Sequence, residues 1–310
     1  MQTHTALGVT LSLTTALLWA LSPLCFASAG RKIGSFSVQL LRSLGGTALL
    51  LLITAVYLIA VPEARVLPDG KTTFWIAISG FFGLVIGDGL LYEAFVTLGP
   101  RRSIQIMMLA PVASVVAGWV MLHESLDLRT LIGIAVTLLA TFYAVLAQQN
   151  SASNREAPRE PGHITLKGVV YAIAGSLCIG LGAVSARHAF ATSATLDPMV
   201  ATTVRVGLST LMIWAFAFTI GQGISPLRHC TDRWVLSRMV PGVLAGPVLG
   251  MICYITALKS LEAGVVSTLS AISPLFILPM VWFRYRSHIG WHIVGATAAA
   301  IGGVALICLR

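Results

Sequence analysis

Residues 83–111 read GLVIGDGLLYEAFVTLGPRRSIQIMMLAP, and residues 246–274 read GPVLGMICYITALKSLEAGVVSTLSAISP. They are one pattern written twice, 163 residues apart. Gly83 falls on Gly246, Gly87 on Gly250, Ala94 on Ala257, Leu98 on Leu261 and Pro111 on Pro274. The same shift carries Arg42 to Arg205 and Thr47 to Thr210. A register kept through Pro, Gly and Arg does not arise by chance from a Leu/Ala-rich background. An internal repeat of this kind decides the architecture before any local feature does.

Around this core, long apolar runs occupy residues 7–26, 36–60, 73–97, 100–121 and 127–147, then 166–187, 198–220, 235–258, 262–283 and 289–309. Each approaches the roughly 20 residues a helix needs to cross the hydrocarbon core. The composition agrees: 56% of the 310 residues are hydrophobic and 10% charged, with a mean hydropathy of +0.88. Soluble domains carry about 25% charged residues, and so sparse a set cannot cover a water-facing surface. Strands of about ten alternating residues are missing, which excludes a β-barrel. The reading is an all-α integral membrane protein with ten transmembrane helices. Five spans per copy is an odd number, so tandem copies stand upside down relative to each other. Two inverted five-helix repeats are therefore expected, at 7–147 and 166–309, a layout shared by many secondary transporters.

Residues 148–165, QQNSASNREAPREPGHIT, form the one long polar stretch and read as a tether between the copies. The net charge of +9 is spread over short loops, where basic residues anchor helix ends at headgroups, so no nucleic-acid partner is indicated. Cys25, Cys178, Cys230, Cys253 and Cys308 form no CxxC and read as packing residues, without a disulfide framework or zinc site. Ala27-Ser28-Ala29 resembles a signal-peptidase site, but no basic residue precedes the apolar run, so a retained first helix is expected. Twelve Lys and Arg follow odd-numbered helices and six lie on the other side, which by the positive-inside rule places both termini outside the cytoplasm.

Gly83/Gly87 and Gly246/Gly250 are small-xxx-small pairs that let helices approach closely, and they are expected near the pseudo-two-fold axis. Pro111 and Pro274 sit mid-span at matched positions and should free the carbonyls of Met107 and Ser270. Kinks at corresponding positions of two halves point to a substrate site, and Pro247 is expected to add a further kink. Arg42, Asp88, Glu93 and Arg205 are ionisable residues well inside spans, where charge is expensive and seeks a partner or a cavity. At 1.5 Å per residue, Arg42 lies about 9 Å deep, within reach of Glu93 (about 6 Å) or Asp88 (about 14 Å) on the next, antiparallel helix. The second copy keeps Arg205 but has Met251 and Thr256 in place of the carboxylates. Arg205 is therefore expected to attract an anionic or zwitterionic solute. No HxxxH, HExxH, DxxxD or phosphate-loop pattern lies in the spans, so no catalytic residue, cofactor or metal is expected.

The order of these features resembles the drug/metabolite transporter superfamily, in particular its EamA-type members. The likeness is carried by Ala16-Leu17-Leu18-Trp19-Ala20, Gln39-Leu40-Leu41-Arg42, Tyr92-Glu93-Ala94-Phe95 with Leu98-Gly99, Leu109-Ala110-Pro111-Val112, His123-Glu124-Ser125-Leu126 and Leu131-Ile132-Gly133. Val204-Arg205, Ala257-Leu258 and Ser273-Pro274 repeat the theme. The resemblance implies a central cavity lined by helices 1–4 and 6–9, with helices 5 and 10 outside. It also implies alternating-access movement of a small organic solute, commonly export of amino acids or other metabolites. Both termini would be cytoplasmic; this conflicts with the charge count and is preferred, because Arg101 and Arg102 are nearly intramembrane. One departure stands out: Glu124 follows helix 4, whereas the second copy has Ser287 there.

The expected cavity residues are Trp19, Arg42, Asp88, Tyr92, Glu93, Gln105, Arg205 and Tyr254, with Asp88 or Glu93 as a proton site. The expected partners are a small-molecule substrate, membrane lipid and a proton or other ion gradient; the oligomeric state is open. The expected location is a bacterial cytoplasmic (inner) membrane. Two other classes stay open, a flippase for lipid-linked metabolites and a non-transporting membrane scaffold or sensor.

Overall fold

The computed structural model describes residues 2–98, 100–152, 165–276 and 291–308, in which helices account for nearly all of the chain and no strand occurs. In chain order the helices are α1 (Gln2–Ile33), α2 (Ser35–Ala60), α3 (Gly70–Thr97), α4 (Pro100–Met107 continued by Leu109–Leu122) and α5 (Leu128–Ala152). Then follow α6 (Leu166–Thr192), α7 (Pro198–Thr219), α8 (Arg233–Ser260), α9 (Ala263–Phe276) and α10 (Trp291–Cys308). The first eight are long and apolar enough to cross a membrane; α9 and α10 contribute shorter apolar segments. The end of the 262–283 run, Ser287, Arg310 and most of the tether lie outside the described residues.

Local chemistry sets the helix ends. Asp69 caps α3 by accepting the Thr72 N–H at 3.0 Å, and Asp232, 163 residues on, caps α8 by accepting the Trp234 N–H at 2.9 Å. Hydrogen bonds from Thr72 hold the Asp69 carboxyl below the usual carboxylate range. Gly34 (φ 82°) turns α1 into α2, and Gly221 (φ 71°) closes α7 with the Gln222 N–H donating to the Ala217 carbonyl, a Schellman end that favours glycine.

The breaks inside the helices keep the same register. Phe81–Gly87 of α3 and Leu244–Gly250 of α8 both widen into π-helix. Pro247 lies in the second segment only, with Leu84 at its counterpart, so the expected Pro247 kink is part of a distortion that both copies adopt without needing proline. The α4 helix breaks at Met108 and α9 at Ala271, again 163 residues apart and each three residues before Pro111 or Pro274. The cause is local: neither proline can donate to the carbonyl four residues earlier, so the turn before it tightens, with Met108 N–H reaching Gln105 O at 3.2 Å.

Packing interleaves the two halves. The α6 helix lies on α3 and α4, α1 lies on α8 and α9, α2 crosses α7, and α5 pairs with α10. Close approach depends on small residues: a Cβ on Gly182 would meet the Gly83 backbone N at 2.7 Å, and one on Gly133 would meet the Gly303 carbonyl at 2.8 Å. The Gly83/Gly87 pair faces α6, while Gly246/Gly250 faces Ser22 and Trp19 of α1. The counterpart helices that pack on each other are α2 with α7, α4 with α9 and α5 with α10, rather than the expected α3 with α8. Between α2 and α7, Thr47 and Thr210, counterparts in the repeat, hydrogen-bond to each other at 2.8 Å.

Candidate substrate site

Arg42 projects from α2 and Asp88 follows the π segment of α3. Their Nη2–Oδ2 distance is 2.7 Å, with both side chains about one-fifth exposed. The guanidinium also sits 5.6 Å from the centre of the Tyr92 ring, one turn beyond Asp88. The expected choice between Asp88 and Glu93 thus falls on Asp88. Glu93 is exposed on the side of the exposed Val96, because residues one position along a helix point about 100° apart.

Arg205 stands at the equivalent point of α7 but is 4% exposed. Its Nη1 donates to the Met251 thioether at 3.0 Å and its Nη2 to the Ser79 carbonyl at 3.5 Å. Met251 is the counterpart of Asp88, so the same contact is rebuilt with a weak sulfur acceptor in place of a carboxylate. Among the described residues the Arg205 Nε has no hydrogen-bond partner. The side chain sinks into a groove on α3: Cβ atoms added at Gly80 and Gly83 would lie 3.5 Å from its Cγ and 2.7 Å from its Nη2. The residue lines a narrow apolar crevice with Ile76, Phe190, Leu196 and Ile255 among its walls. Ligand pockets measure about 300–1,000 Å³; this crevice encloses about 10 Å³, room for about one water, so it is closed down around the arginine.

Tyr254 is buried one turn from Gly250 and stacks on Trp19 with ring centres 5.0 Å apart. Its hydroxyl lies 3.4 Å from the Ser267 hydroxyl, which in turn lies 2.9 Å from that of Ser114, joining α8, α9 and α4. Gly250 is what seats the indole, because a Cβ there would meet Trp19 Nε1 at 2.7 Å. Gln105 is half-buried at the break in α4, three residues before Met108. Of the expected cavity residues, the structure gathers Arg42, Asp88 and Tyr92 in one cluster. Trp19 and Tyr254 form a second contact, Arg205 sits on Met251 in the same turn of α8, and Glu93 stands apart.

A polar knot at the helix ends was not among the expected site residues. His123 adopts a left-handed conformation (φ 52°) and turns Glu124 back over Gly118, whose missing Cβ leaves room for the carboxylate. Arg187 of α6 donates to Glu124 Oε1 at 3.1 Å and to the carbonyls of Leu258 and Lys259, at 3.0 and 2.8 Å, at the end of α8. The other Glu124 oxygen accepts the Ala263 N–H at the start of α9, at 3.4 Å. One ion pair thus ties the ends of α4, α6, α8 and α9. Burial pushes the Glu124 carboxyl up, against the opposing pull of Arg187. Near the same face Tyr57 donates to Asp197 at 3.0 Å and Lys259 to the Leu196 carbonyl at 2.8 Å. The counterpart of Arg187 is Leu24, half exposed. Among the described residues, α6 packs on α8 and α9, whereas α1 makes no comparable contact with α3 or α4. The unpaired status of Glu124 in the repeat was the sequence signal that could have found the knot.

Comparison with known proteins agrees with this geometry. A solved crystal structure, titled only "Crystal structure of protein", superposes with a TM-score of 0.70 at 17% sequence identity, over 97% of each chain. At that identity it shows the fold alone. No curated protein sequence matches. The EamA-like transporter family matches twice, at residues 6–146 and 166–309. This multi-pass integral membrane protein, with its one pattern used twice, belongs to the EamA-like transporter family.

Proposed function

We propose that the protein is a ten-span secondary transporter that moves a small organic solute, an amino acid or another metabolite in the export direction, by alternating access between two inverted five-helix repeats. Membership of a family of small-solute transporters gives the class. The observation that supports the finer reading is an asymmetry between the two copies at one loop face. The Glu124–Arg187 knot draws four helix ends together on one face, and the counterpart of Arg187 on the other is the apolar Leu24. A tie made by one copy and not offered at Leu24 of the other is the kind of asymmetry an alternating cycle can use, and the matched breaks at Met108 and Ala271 supply bending points at equal positions.

Within this reading the solute passes between the Arg42–Asp88–Tyr92 cluster and the Arg205–Tyr254–Trp19 region, and Asp88 carries the coupling proton. The protein sits in a bacterial cytoplasmic membrane with both termini in the cytoplasm. The test is flux in proteoliposomes holding the purified protein, with labelled amino acids and organic acids offered under an imposed pH gradient. Accumulation that collapses with the gradient supports the proposal. If no solute moves while a fluorescent lipid-linked probe crosses the bilayer, the flippase reading replaces it; if neither moves, the scaffold reading does. A tag-accessibility assay at residue 310 decides the orientation.

A further inference from the structure

We infer that Arg205 is an anion-binding site for the solute, specific for a carboxylate or similar singly charged oxyanion attached to a small apolar body. This deepens the transporter reading above and rests on it for the route by which the ligand arrives. The argument begins with charge. Arg205 is buried, and among the described residues no carboxylate lies within ion-pair distance of it. A guanidinium offers five donors in a planar fork. Here one meets a thioether, one meets a carbonyl at the limit of hydrogen bonding, and among the described residues Nε meets no partner. A buried charge so poorly answered is expensive, and breaking an ion pair that leaves such a charge behind is strongly destabilising. The fields of Asp88 and Tyr254 reach it only across space.

The other half shows what an answered arginine looks like. Arg42 has Asp88 at 2.7 Å and the Tyr92 ring beside it, so an incoming anion would have to compete with a resident carboxylate. Replacing Asp88 by Met251 vacates that role at Arg205 alone. A ligand carboxylate can take it through two parallel N–H···O bonds, the geometry for which arginine is suited. The crevice walls, Ile76, Phe190, Leu196 and Ile255, are apolar and leave room for about one water, so they receive an apolar body only once this face has loosened. Arg205 lies seven residues from the start of α7, on the side tied by the Glu124–Arg187 knot. The anion is therefore engaged when that face loosens, and the groove of Gly80 and Gly83 receives the side chain when it closes.

The experiment uses the full-length protein in detergent and two acid–amide pairs, benzoate with benzamide and hexanoate with hexanamide, titrated by calorimetry. Each acid should bind about tenfold or more tightly than its amide, the scale of a charge-assisted hydrogen bond. Arg205→Met fills the groove without charge and should abolish the preference. Met251→Asp rebuilds the first-half pair around an intact Arg205 and should abolish it as well; if Arg205→Met fails to fold, Met251→Asp decides the matter alone. Equal affinity for acid and amide in the wild type, binding of neither, or a preference that survives in a folded variant overturns the proposal. Flux of the same acids in proteoliposomes separates the two levels. Acid-selective binding without flux sinks the transport reading and leaves the anion site. Flux of solutes with no acid preference sinks the anion site and leaves transport.

Discussion

Arg42 and Arg205 occupy the same place in two copies of one pattern, yet one is paired and partly exposed while the other is buried on a thioether. Three substitutions between the copies account for the difference. Asp88 becomes Met251, which removes the carboxylate. Gly80 corresponds to Val243, so a groove deep enough to bury the arginine exists on α3 and not on α8. Gly182 corresponds to Trp19, so α6 presses backbone to backbone on α3, whereas α1 meets α8 through an indole stacked on Tyr254. A repeat conserves the scaffold cheaply, and single departures from it are enough to give the two half-paths different chemistry.

The sharpest way to break this contrast is Gly182→Ala. Its Cβ would collide with Gly83 backbone atoms that cannot move aside, and we expect a loss of about 3 kcal/mol, the upper range of overpacking, or no folded protein in size-exclusion chromatography. An unchanged melting temperature would mean that α3 and α6 are not so close. Next is Glu124→Ala, which leaves Arg187 without its carboxylate and should cost about 1.5–3 kcal/mol, the range for hydrogen bonds to charged groups. It should also raise the labelling rate of a cysteine placed at Ala186; equal labelling would remove the knot as the closure of that face. Asp88→Asn keeps the shape of the Arg42 site but removes its charge. The stability should fall by about 1–2 kcal/mol in thermal unfolding, and transport driven by a pH gradient should be lost; intact gradient dependence would assign proton coupling elsewhere.

The smallest effect concerns the far side of the bundle. Lys32 contacts Asp232 at 2.5 Å and holds its carboxyl below the usual carboxylate range. A depressed value means that the stabilisation is present above the unfolded pKa of about 3.9 and is lost as pH falls through the lower folded value. Asp232→Asn should therefore melt slightly below the wild type at neutral pH, and the two should converge in acid. A gap that persists at low pH would show that the Lys32 pair is not its source, since Asn keeps the cap.

Much of this was legible before any coordinates. Pro111 and Pro274 marked the breaks in α4 and α9, because proline acts on its own backbone within a turn. Gly83, Gly87 and their counterparts, by contrast, read as packing pairs and did not foretell the π segments they lie in. Depth alone brought Arg42 within reach of Asp88 or Glu93, since rise per residue and antiparallel direction fix which side chains lie at similar levels. The choice of Asp88 over Glu93 was not legible, because it depends on how far the π segment rotates α3. Nor was Arg187 as the partner of Glu124, since the two come from different copies, and their meeting depends on α6 crossing the end of α4.

By itself, the sequence determined the class of protein, the repeat and the places where its helices bend, all of which follow from hydropathy and from local backbone chemistry. Only the tertiary structure decided that α2 and α7 meet through Thr47 and Thr210, that Glu124 and Arg187 tie four helix ends together, and that Arg205 is buried with no acid beside it among the described residues. Those facts rest on which surfaces of distant helices meet, and helix packing in lipid is set by the close fit of small residues, which no single segment encodes.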